Sequence, residues 1–144
     1  MIEQDTVKLL RECDAGVKMG LASINDVVNY ARADGLRRKL TACRAEHEKL
    51  EREIRSRLDR FHDDGKEPNP MARGMSWLKT NTKLIMDDSD RVCADLITEG
   101  CNMGAKSVQK YINQYAAADK DAKIKAEELI RIEEKLVCDL KPYL

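Results

Sequence analysis

Three observations predict an all-α protein, a four-helix bundle. Ala, Leu, Lys, Glu, Arg and Asp dominate the 144 residues, a mixture that favours helix over strand, and only six residues are aromatic: Tyr30, Phe61, Trp77, Tyr111, Tyr115 and Tyr143. Apolar residues recur at steps of three and four over long stretches, as one face of a helix requires. Turn formers then interrupt that pattern at a few sharp places. A chain of this length can bury a core without crosslinks. It is therefore expected to be one domain over 1–144, made of a hairpin at 1–64, a crossover at 65–88 and a second hairpin at 89–144.

The first helix is expected from Ile2 to Ala33, with Val7, Leu10, Val17, Leu21, Ile24, Val28 and Ala31 as its stripe. Asp34-Gly35 reads as a turn, so short that the next helix must fold back antiparallel. That second helix carries Leu36, Leu40, Cys43, His47, Leu50, Ile54, Leu58 and Phe61. At 1.5 Å per residue each arm is roughly 40 to 45 Å long. The polar run from Asp63 to Asn69, closed by Pro68 and Pro70, ends the hairpin. Asn69-Pro70 has the form of an N-cap with proline at the first helical position, which predicts a short helix from Pro70 to about Ile85. Asp87-Asp88-Ser89-Asp90 offers new caps for a third helix bearing Val92, Leu96, Met103, Val108, Ile112 and Tyr115, ending near Ala117. Asp119 opens a fourth, with Leu129, Ile132, Leu136, Leu140 and Tyr143 along its stripe.

Acidic and basic side chains balance at 26 each, so no net field draws the chain onto nucleic acid or an anionic membrane. The arginines of the second helix are interleaved with Glu46, Glu48, Glu51, Glu53 and Asp59, the pattern of a solvated, ion-paired face. No run of about 18 apolar residues marks a membrane span, and the N-terminus lacks the features of a leader. Cys13, Cys43, Cys93, Cys101 and Cys138 are odd in number, lack CxxC spacing and read as reduced core thiols, which points to the cytoplasm. A glycine-rich phosphate loop, a nucleophile elbow and an HExxH sequence are all absent, so no catalytic residue and no organic cofactor is assigned.

Shifted by 84 residues, the chain aligns with itself. Gly16, Met19, Gly20, Ser23, Ile24, Val28 and Asn29 fall on Gly100, Met103, Gly104, Ser107, Val108, Ile112 and Asn113, with five of the seven pairs identical. A shift of 86 places Glu48-Lys49-Leu50 on Glu134-Lys135-Leu136 and His47 on Glu133. A single repeat of this length indicates a duplicated helical hairpin. Two such hairpins joined through about 25 residues call for a crossover, with the second and third helices parallel. In this the chain resembles the ferritin-like superfamily, and more narrowly its small bacterial four-helix-bundle domains of unknown function.

The resemblance implies an iron or manganese pair held by glutamates and two Glu-x-x-His sequences. The pattern fails in detail, because Arg44 stands three residues before His47 and Leu136 three residues after Glu133. What survives is Asp14, His47, Glu99 and Glu133, each on or near the apolar face of a different helix. His47 lies roughly 20 Å from one end of its helix and Glu133 roughly 22 Å from the opposite end, so both reach mid-bundle. Glu99 falls within about a turn of that level, and Asp14 is roughly 10 Å away. One expectation is a hydrogen-bonded buried pair of His47 with Glu133 that fixes register. The other is a mononuclear Fe, Mn or Zn site of His47, Glu99 and Glu133. Gly16, Gly20, Gly100 and Gly104 each cost about 1 kcal/mol against alanine inside a helix, which suggests close approach of the first and third helices or a gap admitting a bound group. The expected role is a non-enzymatic structural or binding protein with a degenerate metal site. The alternatives are a metal-dependent oxidase or metal store and a self- or partner-pairing interaction module, and the resemblance implies a homo-oligomer.

Overall fold

The computed structural model describes residues 2–68 and 89–144, and among them there are four long helices and no strand. Helix α1 covers Ile2–Val27, α2 Asp34–Arg60, α3 Ser89–Gln114 and α4 Lys120–Leu140, with short 3-10 turns at Val28–Tyr30 and Lys141–Tyr143. The short helix expected from Pro70 to Ile85 lies outside the described residues. No described helix is long and apolar enough to cross a membrane.

All four helices contribute to one apolar core, including Leu9, Leu10 and Val17 from α1 and Leu40, Leu50 and Ile54 from α2. From α3 come Cys93 and Ile97, and from α4 Leu129, Ile132 and Leu136. α1 packs on α2 and α3, α4 packs on the same two helices, and α1 also meets α4 through the centre. Burying each large aliphatic side chain stabilises the fold by about 1.5–3 kcal/mol, which is what makes these stripes adhere. Side-chain pairs record how neighbours are aligned. On α1 and α2, Asn25 accepts from Arg44 and Asp14 meets Arg55. Between α2 and α4, Arg57 meets Asp121, Glu53 meets Lys125 and Glu46 meets Lys135.

The first link differs from the sequence expectation. The α-helix stops at Val27, the chain is extended at Ala31 and Ala33, and Asp34-Gly35 forms the first turn of α2. A carboxylate from another helix explains the shift: Asp90 Oδ1 accepts the Arg32 N–H at 2.6 Å, and its Oδ2 accepts the Ala33 N–H at 3.2 Å. These amides find their partner without continuing a helix. Gly35 is used for room, since the Tyr143 hydroxyl lies where a β-carbon would stand.

The second link is held in the same way by the start of α1. Asp5 accepts the Ala117 N–H at 3.0 Å and Thr6 Oγ1 accepts the Asp119 N–H at 2.8 Å. Asp119 then caps α4 by accepting the Ala122 N–H at 2.9 Å. At the end of α2, the Asp63 N–H reaches Leu58 O and the His62 N–H reaches Asp59 O, with His62 left-handed at φ 55°. This is a Schellman turn with histidine in the place usually given to glycine.

Replacing Thr6 by Val, or Asp90 by Ala, leaves amides of the opposite link without an acceptor. Each variant is expected to lose about 1–2 kcal/mol of stability in urea unfolding, against about 2–5 kcal/mol for Leu129→Ala, which opens the core.

Candidate functional site

His47 and Glu133 both lie on the buried faces of their helices and line one cavity. His47 is 1% exposed on α2 and Glu133 5% exposed on α4. Both line a cavity of about 90 Å³ together with Gly16, Gly20, Gly100 and Gly104. Ile24, Ile97 and Leu136 supply its apolar wall, and the partly exposed lining residues, Met19 and Leu96 among them, belong to α1 and α3. The cavity therefore opens along the seam between those two helices, with the two polar groups behind it.

The expected hydrogen bond between them is absent: His47 Nε2 and Glu133 Oε2 are each buried without a hydrogen-bond partner. His47 Nδ1 lies 2.9 Å from the Cys43 carbonyl oxygen. A carbonyl can only accept, so Nδ1 carries the proton and the neutral ring presents a bare lone pair at Nε2. Burial lowers the His47 pKa. Burial alone pushes Glu133 up to about 8, so at neutral pH this side chain is held largely as the uncharged acid.

Two of the glycines exist for these groups. A β-carbon on Gly20 would stand 2.6 Å from His47 Nε2, and one on Gly104 would stand 2.6 Å from Glu133 Oε2. The glycines thus make room for a polar side chain from the neighbouring helix, which corrects the expectation of a close approach between α1 and α3. Gly16 faces Leu129, while a β-carbon on Gly100 would meet open space.

Glu99 does not join the pair. It is exposed on α3 and does not line the cavity. The buried line of α3 runs through Cys93, Ile97 and Cys101, and a residue two positions from either of the last two lies about 200° round the helix. Met103 is exposed for the same reason.

Asp14 is buried elsewhere, as a fastener. Its Oδ2 meets Lys18 Nζ at 2.9 Å and Arg55 Nη2 at 3.4 Å, and accepts the Lys66 N–H at 3.0 Å. Gly65, at φ 84°, turns the chain hard against this carboxylate, where a β-carbon would collide with it. Asp14 thereby pins the segment leaving α2 onto α1.

A ferritin-like metal pair does not fit these residues. His47 Nε2 and Glu133 Oε2 are two unpartnered donors on one cavity, but no third joins them: among the described residues no three His, Cys, Asp or Glu side chains form a group able to hold a metal ion. Cys101 lines the cavity, yet burial and the nearby Glu133 raise its pKa, and burial pushes Cys43 up to about 12, so neither readily supplies a thiolate. Cys138, expected in the core, is exposed. On the outer face of α2, Arg37, Arg55 and Arg57 are each paired with carboxylates. Compared with known proteins, the chain matches no family model, no curated protein and no solved structure.

Two outcomes follow from this geometry. The folded chain keeps a proton on Glu133 that the unfolded chain releases above its ordinary value of 4.5, so this group's contribution to stability is lost as pH rises from about 4.5 to about 8. Glu133→Gln should remove that loss, gaining on the parent protein between pH 5 and pH 8 in urea unfolding. Among the glycines, Gly100→Ala should stabilise by about 0.5–1 kcal/mol through helix propensity. Gly20→Ala and Gly104→Ala should destabilise in thermal melts, because each methyl displaces a buried polar group.

Proposed function

We propose that this chain is a ferritin-like bundle of two duplicated antiparallel hairpins, serving as a non-enzymatic binding protein whose metal site has degenerated. The observation that carries this reading is the cavity, where two unpartnered polar atoms from equivalent positions of the two halves share one mostly apolar space. Gly20 opposes His47 just as Gly104 opposes Glu133, and these are the pairs that the internal repeat superposes. The link contacts support duplication as well, since Thr6 and Asp90 are related by the same shift of 84 and each fastens the other half's link.

The pairings Asn25 with Arg44 and Asp14 with Arg55 support an antiparallel first hairpin. Those of Arg57 with Asp121 and Glu46 with Lys135 support α2 running against α4. With a short link reversing α3 into α4, α2 and α3 then run in the same direction, the order a crossover bundle requires. The binding role rests on cost. An unsatisfied buried polar group costs about 1–3 kcal/mol, and each helix-interior glycine costs about 1 kcal/mol. The cavity concentrates both, which is the mark of a site and not of simple core packing.

A second reading, a metal store or oxidase, draws on the same lone pairs at His47 Nε2 and Glu133 Oε2. Metal analysis of tag-free protein purified anaerobically, with His47→Ala and Glu133→Ala alongside, separates the two. The binding reading expects no stoichiometric Fe, Mn or Zn and no uptake on adding Fe(II) or Zn(II). Near-stoichiometric metal that disappears in both variants would replace it with the metal reading. Sedimentation of the same samples over a range of concentrations measures whether the bundle self-associates.

A further inference from the structure

The cavity is selective in its chemistry as well as its size, and that selectivity identifies a class of ligand, given the binding role proposed above. His47 Nε2 can only accept a hydrogen bond, because Nδ1 is committed to the Cys43 carbonyl. Glu133 Oε2 is likewise without a partner. Among the described residues no lysine or arginine lines the space to give a bound anion its countercharge. Ile24, Leu96, Ile97 and Leu136 leave the remaining wall apolar. For size, a dry cavity of about 150 Å³ holds benzene, which scales to roughly four non-hydrogen atoms in the space available here.

We propose that the cavity binds a small uncharged molecule bearing a primary amide, one N–H of which donates to His47 Nε2 while the rest of the amide group pairs with the Glu133 carboxyl and its short carbon portion lies against the apolar wall. The amide suits either state of Glu133. An ionised carboxylate accepts the second N–H, and an un-ionised one can donate to the amide carbonyl. Entry is through the seam between α1 and α3, where Gly16, Gly20, Gly100 and Gly104 leave the wall without side chains. The glycines thus serve both to seat the polar groups and to leave the way open.

Acetamide, acetone and acetate have the same four non-hydrogen atoms in nearly the same shape and differ in what the proposal depends on. Each is titrated into the whole protein while the ring nitrogens of His47 are followed by long-range ¹H–¹⁵N correlation. Acetamide is expected to move the Nε2 signal saturably, with a dissociation constant of order 1 mM for so small a ligand. Acetone, lacking N–H groups, and acetate, carrying charge, are expected to produce no saturable shift at the same concentrations. Gly100→Leu, which projects a side chain into the open space beside Gly100, should abolish the acetamide response.

An equal response to acetone would overturn the proposal, since the polar atoms would then not be selecting the ligand. So would the absence of a saturable acetamide shift up to about 100 mM, a hundredfold above the expected constant. The wild-type comparison stands even if Gly100→Leu does not fold. Metal content of the same preparation keeps the two readings apart: metal held through His47 and Glu133 defeats the binding role itself, whereas metal-free protein indifferent to acetamide defeats only the ligand class.

Discussion

Two polar atoms without partners, His47 Nε2 and Glu133 Oε2, are buried in a mostly apolar core. Each needs space that a neighbouring helix would normally fill, and Gly20 and Gly104 leave that space in α1 and α3. The consequence spreads beyond the pair. Where side chains are missing from α1 and α3 the seam is thin, and a cavity remains along it. The aliphatic layers must then supply the cohesion, with Leu9, Leu10, Leu36 and Leu40 among the buried residues away from the cavity, and Ile54, Leu58 and Leu140 with them. The core is thus firm at its ends and deliberately under-filled at its centre.

Electrostatics reinforce the division. Burial holds His47 and Glu133 toward their uncharged forms, while ion pairs such as Arg57 with Asp119 and Lys125 with Glu53 stay on the partly exposed flanks. Pairs of this kind each contribute about 1 kcal/mol or less. They are better understood as alignment marks between α2 and α4 than as the source of cohesion. Asp14 differs, being fully buried and shared among Lys18, Arg55 and the Lys66 amide, so that one carboxylate joins α1, α2 and the chain leaving α2.

Helical class, the four long helices of the described residues and the burial of His47 and Glu133 were legible in the sequence, because a stripe at steps of three and four is a strong periodic signal. The C-terminal end of α1 was not. It depends on Asp90, a residue 58 positions away from Arg32, and no local signal reports such a partner. Glu99 and Met103 were misplaced because the apolar residues of α3 fit two stripes one position apart, and only packing chooses between them. The purpose of Gly20 and Gly104 could have been read from the repeat, since it superposes the glycines and the polar residues together. What it could not supply was which helix each glycine faces.

The reciprocal fastening of the two links also governs how the chain can be made. Asp5 and Thr6 meet their partners at Ala117 and Asp119 across separations of 112 and 113 residues, so these contacts of α1 cannot form until α3 has been made. The amides of Arg32 and Ala33 likewise gain their protein acceptor only when Asp90 follows, 58 and 57 residues later. Contacts of such long span bear the full loop-closure entropy and slow the search for the native state. Each link is thus completed only by a residue from a distant part of the chain.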